Sequence, residues 1–368
     1  MAGLSRSPGI SSILFVTAPV GPLGSGVGGG VETNLLNVTP RLTDRGVRCA
    51  IVAPVGSVID DDRVTLFETD GVAPIYATTA DRTIGVTQDP NGLLERMWDV
   101  ARAHQHDFDV IIALTYDWLS YYLTPFFATP VGHIVSLSSQ IDAVDAELRR
   151  LLERSPNRLA GVTRAQAATF GALAAPVMMP MFGGVDLDRC AVPAFEVAER
   201  RLAWVARVSR EKGIRDAFEV CDRTGYSLDV CGLVQEPDLL AECRAAFPTV
   251  DVTVHGFVSQ RQVSDVLSRS AAMLMTHSWI EAFGNTAIEA LAVGTPVISY
   301  ARGGPTEIID DGINGYLVEP GSVDAMVDAV DRVGLLDRRA CRRAVETRFT
   351  LDQLADRWLA FAERVAAS

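Results

Sequence analysis

Short apolar runs alternate with longer amphipathic ones along almost the whole chain. Residues 12–18 form a β-branched apolar run ended by Pro19, which predicts a buried strand. Six glycines follow between positions 21 and 30. Residues 31–45 then have helical periodicity, with Leu35, Leu36, Val38 and Leu42 available for one face. Pro40 inside that pattern predicts a kink or a shortened helix, and Gly46 suits its carboxyl cap. Residues 47–53 read as a second strand. Strand, glycine loop, helix and strand in that order make a βαβ unit and imply a parallel sheet.

The alternation continues. Strands are expected at 110–114 and 133–137, and a helix over 143–158. A second series of strands is expected at 202–208, 228–233, 251–257, 271–276 and 296–300, with helical patterns between them. It begins after Gly183-Gly184-Val185-Asp186, a plausible junction. Two doubly wound, Rossmann-like α/β domains meeting at a cleft are expected, with ligands beyond the carboxyl ends of the strands. The expected divisions are 1–180, 181–348 and a final helix over 349–368. That helix opens at Thr350, with Gln353 at capping-box spacing, and carries the stripe Leu351, Leu354, Trp358, Phe361 and Val365.

Composition narrows the function. The 368 residues suit two domains, and 48% apolar content allows each its own core. No stretch approaches the roughly 20 apolar residues of a membrane span. Positions 13–16 are too short for a secretory segment, so a cytoplasmic protein is expected. The net charge of −13 argues against nucleic acid and anionic membranes as partners. Six scattered cysteines without a Cys-x-x-Cys pair read as reduced thiols, and no metal site is expected. Of 33 lysines and arginines only Lys212 is a lysine.

Four segments carry candidate chemistry. Gly24-Ser25-Gly26-Val27-Gly28-Gly29 has the Gly-x-Gly-x-x-Gly spacing that lets backbone approach a phosphate. The second strand ends Ala53-Pro54 without the acid that holds a nicotinamide ribose, which disfavours NAD. Arg207 and Lys212 follow an apolar strand and suit a diphosphate, or else form a solvated loop. Glu281-Ala-Phe283-Gly284-Asn285-Thr286 leads into a helix whose first amides suit an anion. Glu281 reads as a site acid or a solvated loop acid. Glu289 has two readings as well, a site acid or a capping-box partner of Thr286. Gly303-Gly304-Pro305 makes a further glycine turn before a helix, as part of the site or as plain structure.

These residues resemble those of the retaining nucleotide-sugar glycosyltransferases of family 4, which have the GT-B fold. The likeness covers nearly the whole chain and is strongest over Glu281-x7-Glu289, Ala292-Val-Gly-Thr-Pro296, Gly303-Gly304-Pro305-x-Glu307 and Gly312-x-Asn-Gly315 to Pro320. The resemblance implies that Glu281 contacts the donor sugar. Phe283, Gly284, Asn285 and Thr286 would offer backbone amides, and Glu289 would bind ribose hydroxyls. Arg207 and Lys212 would stabilise the departing diphosphate, Gly28, Gly29 and Gly30 would form the amino-terminal donor loop, and Val258 would flank the base. A UDP-sugar co-substrate, a small-molecule acceptor and no separate cofactor or metal are implied. One departure stands out: where the family often has a histidine, residues 132–139 place Ser138, with His133 near the start of the expected strand.

Residues 17–32 further resemble the opening of UDP-glucose:tetrahydrobiopterin glucosyltransferases, which implies UDP-glucose and a pterin acceptor. Asp117 and Trp118, in the aromatic stretch 116–122, are candidate acceptor contacts; packing of that stretch into the core is the alternative. A carbohydrate, glycolipid or other hydroxylated acceptor, a GDP-sugar, and a non-catalytic nucleotide-sugar-binding protein are the rival readings. An epimerase or a phosphorylase on the same fold are others. A phosphorylase needs a pyridoxal lysine, and the single lysine falls in the diphosphate segment.

Overall fold

A computed structural model of the chain describes residues 9–25, 29–75, 77, 80–87, 89–190, 195 and 199–368. It divides into two compact units: residues 1–183 with 351–368, and residues 184–350. The first division thus falls after Gly183 rather than after position 180, and the final segment starts at Leu351 rather than at 349.

The amino-terminal unit holds β1 (Ser12–Val16), β2 (Arg48–Pro54), β3 (Thr65–Thr69), β4 (Val110–Ala113), β5 (Val131–Val135), β6 (Leu159–Gly161) and β7 (Met179–Pro180). They form one parallel sheet in the order β3-β2-β1-β4-β5-β6-β7. Every residue of β1, β4 and β5 is buried, as a sheet covered on both faces requires. One face packs against the helix Gly30–Asp44 and the final helix Leu351–Ala366. The other packs against the helix Leu93–His104. The stripe expected on the final helix is its buried face, and Phe15 meets Trp358 with ring centroids 5.6 Å apart.

The carboxyl-terminal unit holds β8 (Arg201–Val205), β9 (Ser227–Cys231), β10 (Val252–Gly256), β11 (Ala272–Met275), β12 (Val297–Tyr300) and β13 (Gly315–Val318). Its sheet is also parallel, ordered β10-β9-β8-β11-β12-β13. In each unit the order reverses beside the first strand, between β1 and β4 and between β8 and β11. Loops leaving those strand ends diverge there and open a crevice.

Several sequence-based expectations need correction. The helix Gly30–Asp44 continues through Pro40, because the buried residues Leu35, Val38 and Leu42 hold it to the sheet. Its carboxyl end is closed as expected: Gly46 has φ 83° and its N–H reaches the Thr43 carbonyl. The strand placed at 133–137 is β5 at 131–135, so His133 is central in it and Ser138 lies beyond its end. β3, β6 and β7 are short strands that periodicity does not announce.

Candidate functional site

In the carboxyl-terminal unit the chemistry gathers at the β8/β11 switch point. After β8 the chain runs through Arg207 into a single turn, Arg210–Lys212, closed by Gly213 at φ 70°. A Cβ there would lie 2.0 Å from the Thr276 carbonyl oxygen, so only glycine lets this turn sit against the end of β11. Thr276 ties the two segments, accepting from Trp204 Nε1 at 3.0 Å and donating to the Gly213 carbonyl at 2.7 Å.

That closeness sets Lys212 against Glu281. Lys212 Nζ donates to Glu281 Oε2 at 2.6 Å, and the two side chains are only 16% and 15% exposed. Trp279 Nε1 donates to the same carboxylate oxygen at 3.2 Å, and its ring lies under Lys212 Nζ, 4.4 Å from the centroid. Burial opposes the charge on Glu281. The Lys212 charge and hydrogen bond, helped by the Trp279 N–H, outweigh it and hold the carboxyl below its ordinary range. The solvated-loop readings of Lys212 and Glu281 are therefore wrong.

Two glycines seat this acid. Gly304 N–H donates to the Glu281 carbonyl at 2.7 Å, and Glu281 bridges to Gly303. A Cβ on Gly303 would lie 2.2 Å from the Glu281 oxygen, and one on Gly304 2.2 Å from the Phe283 oxygen. The Gly303-Gly304 turn is thus the backrest of the Glu281–Phe283 segment. His277 adds a tie, because its Nε2 meets the Arg302 carbonyl at 2.9 Å, which makes Nε2 the protonated nitrogen. Its buried Nδ1 has no hydrogen-bond partner, and burial lowers its pKa, so the ring is neutral.

The helix Asn285–Ala292 starts at Gly284, whose φ is 98° and which has no side-chain cap. Thr286 is therefore inside the helix, and the capping-box reading of Glu289 fails. Glu289 sits in the helix's second turn, partly buried, and burial pushes its carboxyl up to about 7. The buried Oδ1 of Asn285 has no partner. Phe283 packs edge-on to Phe349 with centroids 6.0 Å apart.

Not every expected residue joins this cluster. Arg207 is more exposed and pairs with Gln235 at 3.1 Å and Glu211 at 3.8 Å, not with Glu281. Val258 is partly buried beyond β10, on the far side of β9 from β8. Trp279 and His277 were not singled out by sequence; their place between Thr276 and Glu281, at a strand end feeding a glycine turn, was the available signal.

In the amino-terminal unit Gly29, at φ 68°, precedes the helix that Gly30 opens. Gly28 lies outside the described residues. The Glu32 carboxylate accepts from the Gly24 N–H, so an acid of the helix holds part of the loop expected to take phosphate. Asp117 caps the helix Trp118–Leu123, accepting from Leu119 N–H at 2.7 Å. Burial, opposed by that bond and aided by Glu95, pushes the carboxyl up to about 6. Trp118 stacks on Tyr122 with centroids 4.7 Å apart, whereas Tyr121 is core. Ser138 is buried beyond β5. His133 is fully buried, bonded at Nε2 to Thr124 at 2.7 Å, and burial pushes it down to about 3, so it is a neutral core residue. Among the described residues no group of His, Cys, Asp and Glu has the makings of a metal site. No helix among them is long and apolar enough to cross a membrane.

Residues 192–348 match the family model "Glycosyl transferases group 1". The 2-deoxystreptamine N-acetyl-D-glucosaminyltransferase of Niallia circulans is 29% identical over 37% of this chain, a match that spans 36% of that relative's length. The D-inositol 3-phosphate glycosyltransferase of Kribbella flavida is 26% identical, over 87% of this chain and 86% of its own. Among solved structures, Anabaena Alr3699/HepE in complex with UDP is similar at TM-score 0.71, with 18% identity, over 94% of this chain and 97% of that one. The architecture is therefore GT-B, and the stretch that matches the glycosyl transferase model includes the whole Lys212–Glu281 cluster.

Proposed function

We propose that the chain is a retaining hexosyltransferase of family 4 that needs no metal or separate cofactor. It moves glucose from UDP-glucose to a small acceptor. The observation that carries this reading is the buried Lys212–Glu281 pair beside an uncapped helix N-terminus. Cleaving an anomeric C–O bond throws negative charge onto the leaving diphosphate. A cation and free helix amides stabilise that charge more as it develops than before. Lys212, with Arg207, takes the diphosphate; Glu281 takes sugar hydroxyls; the amides from Phe283 to Thr286 lie between them; Glu289 takes the ribose. On the family resemblance, Gly28, Gly29 and Gly30 are further donor-binding residues, and Val258 flanks the base. Ser138 supplies a hydroxyl where the family often has an imidazole.

UDP bound to the similar Anabaena protein supports a nucleotide donor of this type. A pterin is the first acceptor to try, on the likeness of residues 17–32; sugars and other hydroxylated rings come next, and the inositol phosphate and deoxystreptamine relatives favour that wider set. Six thiols, five of them buried, fit a reducing compartment, and we place the protein in the cytoplasm.

A thermal-shift panel of UDP, UDP-glucose, UDP-N-acetylglucosamine, GDP and GDP-mannose tests the donor. Ligand at about 100 times its Kd adds about 2.7 kcal/mol to a folded protein that binds it. A UDP-series shift lost in Lys212→Ala supports the reading. Silence across the panel at millimolar ligand removes it.

A further inference from the structure

A pocket of about 630 Å³, counted with its open mouth, lies in the amino-terminal unit, and its lining residues are outside the stretch that matches the glycosyl transferase model. Its walls come from segments that leave the carboxyl ends of β3, β4 and β5: Ile84 and Val86, the first turn of the helix Leu93–His104, Asp117 and Trp118, and Ile141 with Val144. That is the edge of a doubly wound sheet where ligands bind, here next to the β1/β4 switch point.

The charge of this pocket is one-sided. Its titratable lining residues are Glu95 and Asp117, and among the described residues no lysine, arginine or histidine lines it. Neither acid has a salt bridge among the described residues, whereas nearby Asp142 and Asp145 share Arg82 as an ion-pair partner. One oxygen of Asp117 serves the Leu119 N–H, which leaves the other for a ligand. The remaining lining is mostly apolar, with the indole of Trp118 beside the acids. Glu95 also raises the Asp117 pKa, so the two carboxyls feel one another, and Asp117 is still mostly ionised above pH 7.

We propose that this pocket is the acceptor site and that it selects a ring compound carrying protonated amine or other N–H donor groups. This rests on the transferase reading above. The N–H groups meet Glu95 and Asp117, and the ring lies on the apolar wall and Trp118. Charge-assisted N–H···O⁻ bonds are about twice as strong as neutral ones, and here they also relieve an acid–acid repulsion. A phosphate-bearing acceptor is rejected for the same reason, because it would face two carboxylates with no cation among the described lining residues.

Three probes of one shape test this on the full chain, with and without UDP: trans-1,4-diaminocyclohexane, trans-1,4-cyclohexanediol and cyclohexyl phosphate. Titration calorimetry at pH 7.5 is expected to show the diamine binding at least about tenfold tighter than the diol, and no binding of the phosphate. Asp117→Asn keeps the helix cap, since asparagine caps as well as aspartate, and removes only the charge. It and Glu95→Gln should each abolish the preference for the diamine while the melting temperature stays within a few degrees. Equal affinity for diol and diamine overturns the proposal, as does tighter binding of the phosphate. Diamine binding unchanged in both variants overturns it too, by placing the ligand elsewhere. UDP binding is read in the same titrations, so loss of the donor reading is seen separately from loss of this one.

Discussion

Lys212 Nζ and Glu281 Oε2 lie 2.6 Å apart across 69 residues of sequence, each side chain largely out of solvent. Two groups with separate expected tasks, diphosphate and sugar, neutralise one another. Trp279 supports both, with its ring face to the cation and its N–H to the anion. Removing either charge leaves the other buried and unmatched.

A double-mutant cycle measures that coupling. Lys212→Met and Glu281→Gln are each expected to lower unfolding stability by about 2–4 kcal/mol. The double variant should lose clearly less than their sum. Urea midpoints with unchanged m-values give the comparison. Strictly additive losses would mean that the pair contributes nothing as a pair.

Trp279 separates support from chemistry. Trp279→Phe keeps a ring under Lys212 but removes the donor to Glu281. UDP affinity is expected to change by less than about threefold, while turnover of UDP-glucose falls by about tenfold, one hydrogen bond to a charged group being worth roughly 1.5–3 kcal/mol. Titration with UDP and initial rates distinguish the two. A loss confined to UDP binding would place Trp279 with the diphosphate instead.

Glu289 makes stability depend on pH in a defined direction. Its folded pKa, about 7, is above the ordinary carboxyl value of 4.5. The folded state therefore binds more protons than the unfolded one between those values, and stability falls as pH rises through that window. Glu289→Gln should be more stable than the parent at pH 8, by about 1–2 kcal/mol after allowing for partial exposure, and this advantage should vanish by pH 4. Chemical denaturation at both pH values checks it. A constant difference across the range would show that burial does not penalise the Glu289 charge.

Gly304 tests the backrest. A Cβ there would stand 2.2 Å from the Phe283 oxygen and 2.4 Å from its Cα, both backbone atoms with no rotamer to escape into. Gly304→Ala is expected to cost about 1–3 kcal/mol and to weaken UDP-glucose binding, because the Glu281–Phe283 segment must move away. Gly334→Ala is the control: like Gly304 it lies outside the positive-φ region, but a Cβ there meets nothing within 4 Å. If both variants bind UDP-glucose like the parent, the turn does not position the site.

Much of this protein is legible along the chain. Strand-sized apolar runs, glycine turns and amphipathic helices announce two wound sheets, because burial on both faces of a parallel sheet leaves a continuous hydrophobic trace. The stripe from Leu351 to Val365 announces its own buried face. The conspicuous lone lysine and the spacing from Glu281 to Glu289 point to candidates for the site. Short edge strands such as Met179–Pro180 leave no such trace, being too brief for periodicity to register. Local pattern also left open a capping-box reading of Thr286 that fails, since the start at Gly284 depends on backbone packed against Gly304, which is distant in sequence. Only the tertiary structure decided that Lys212 meets Glu281 rather than solvent, that Arg207 turns to Gln235, and that Trp279 lies under the ammonium. Each of those facts depends on which strand ends the β8/β11 order brings side by side, a long-range outcome of packing that no local pattern encodes.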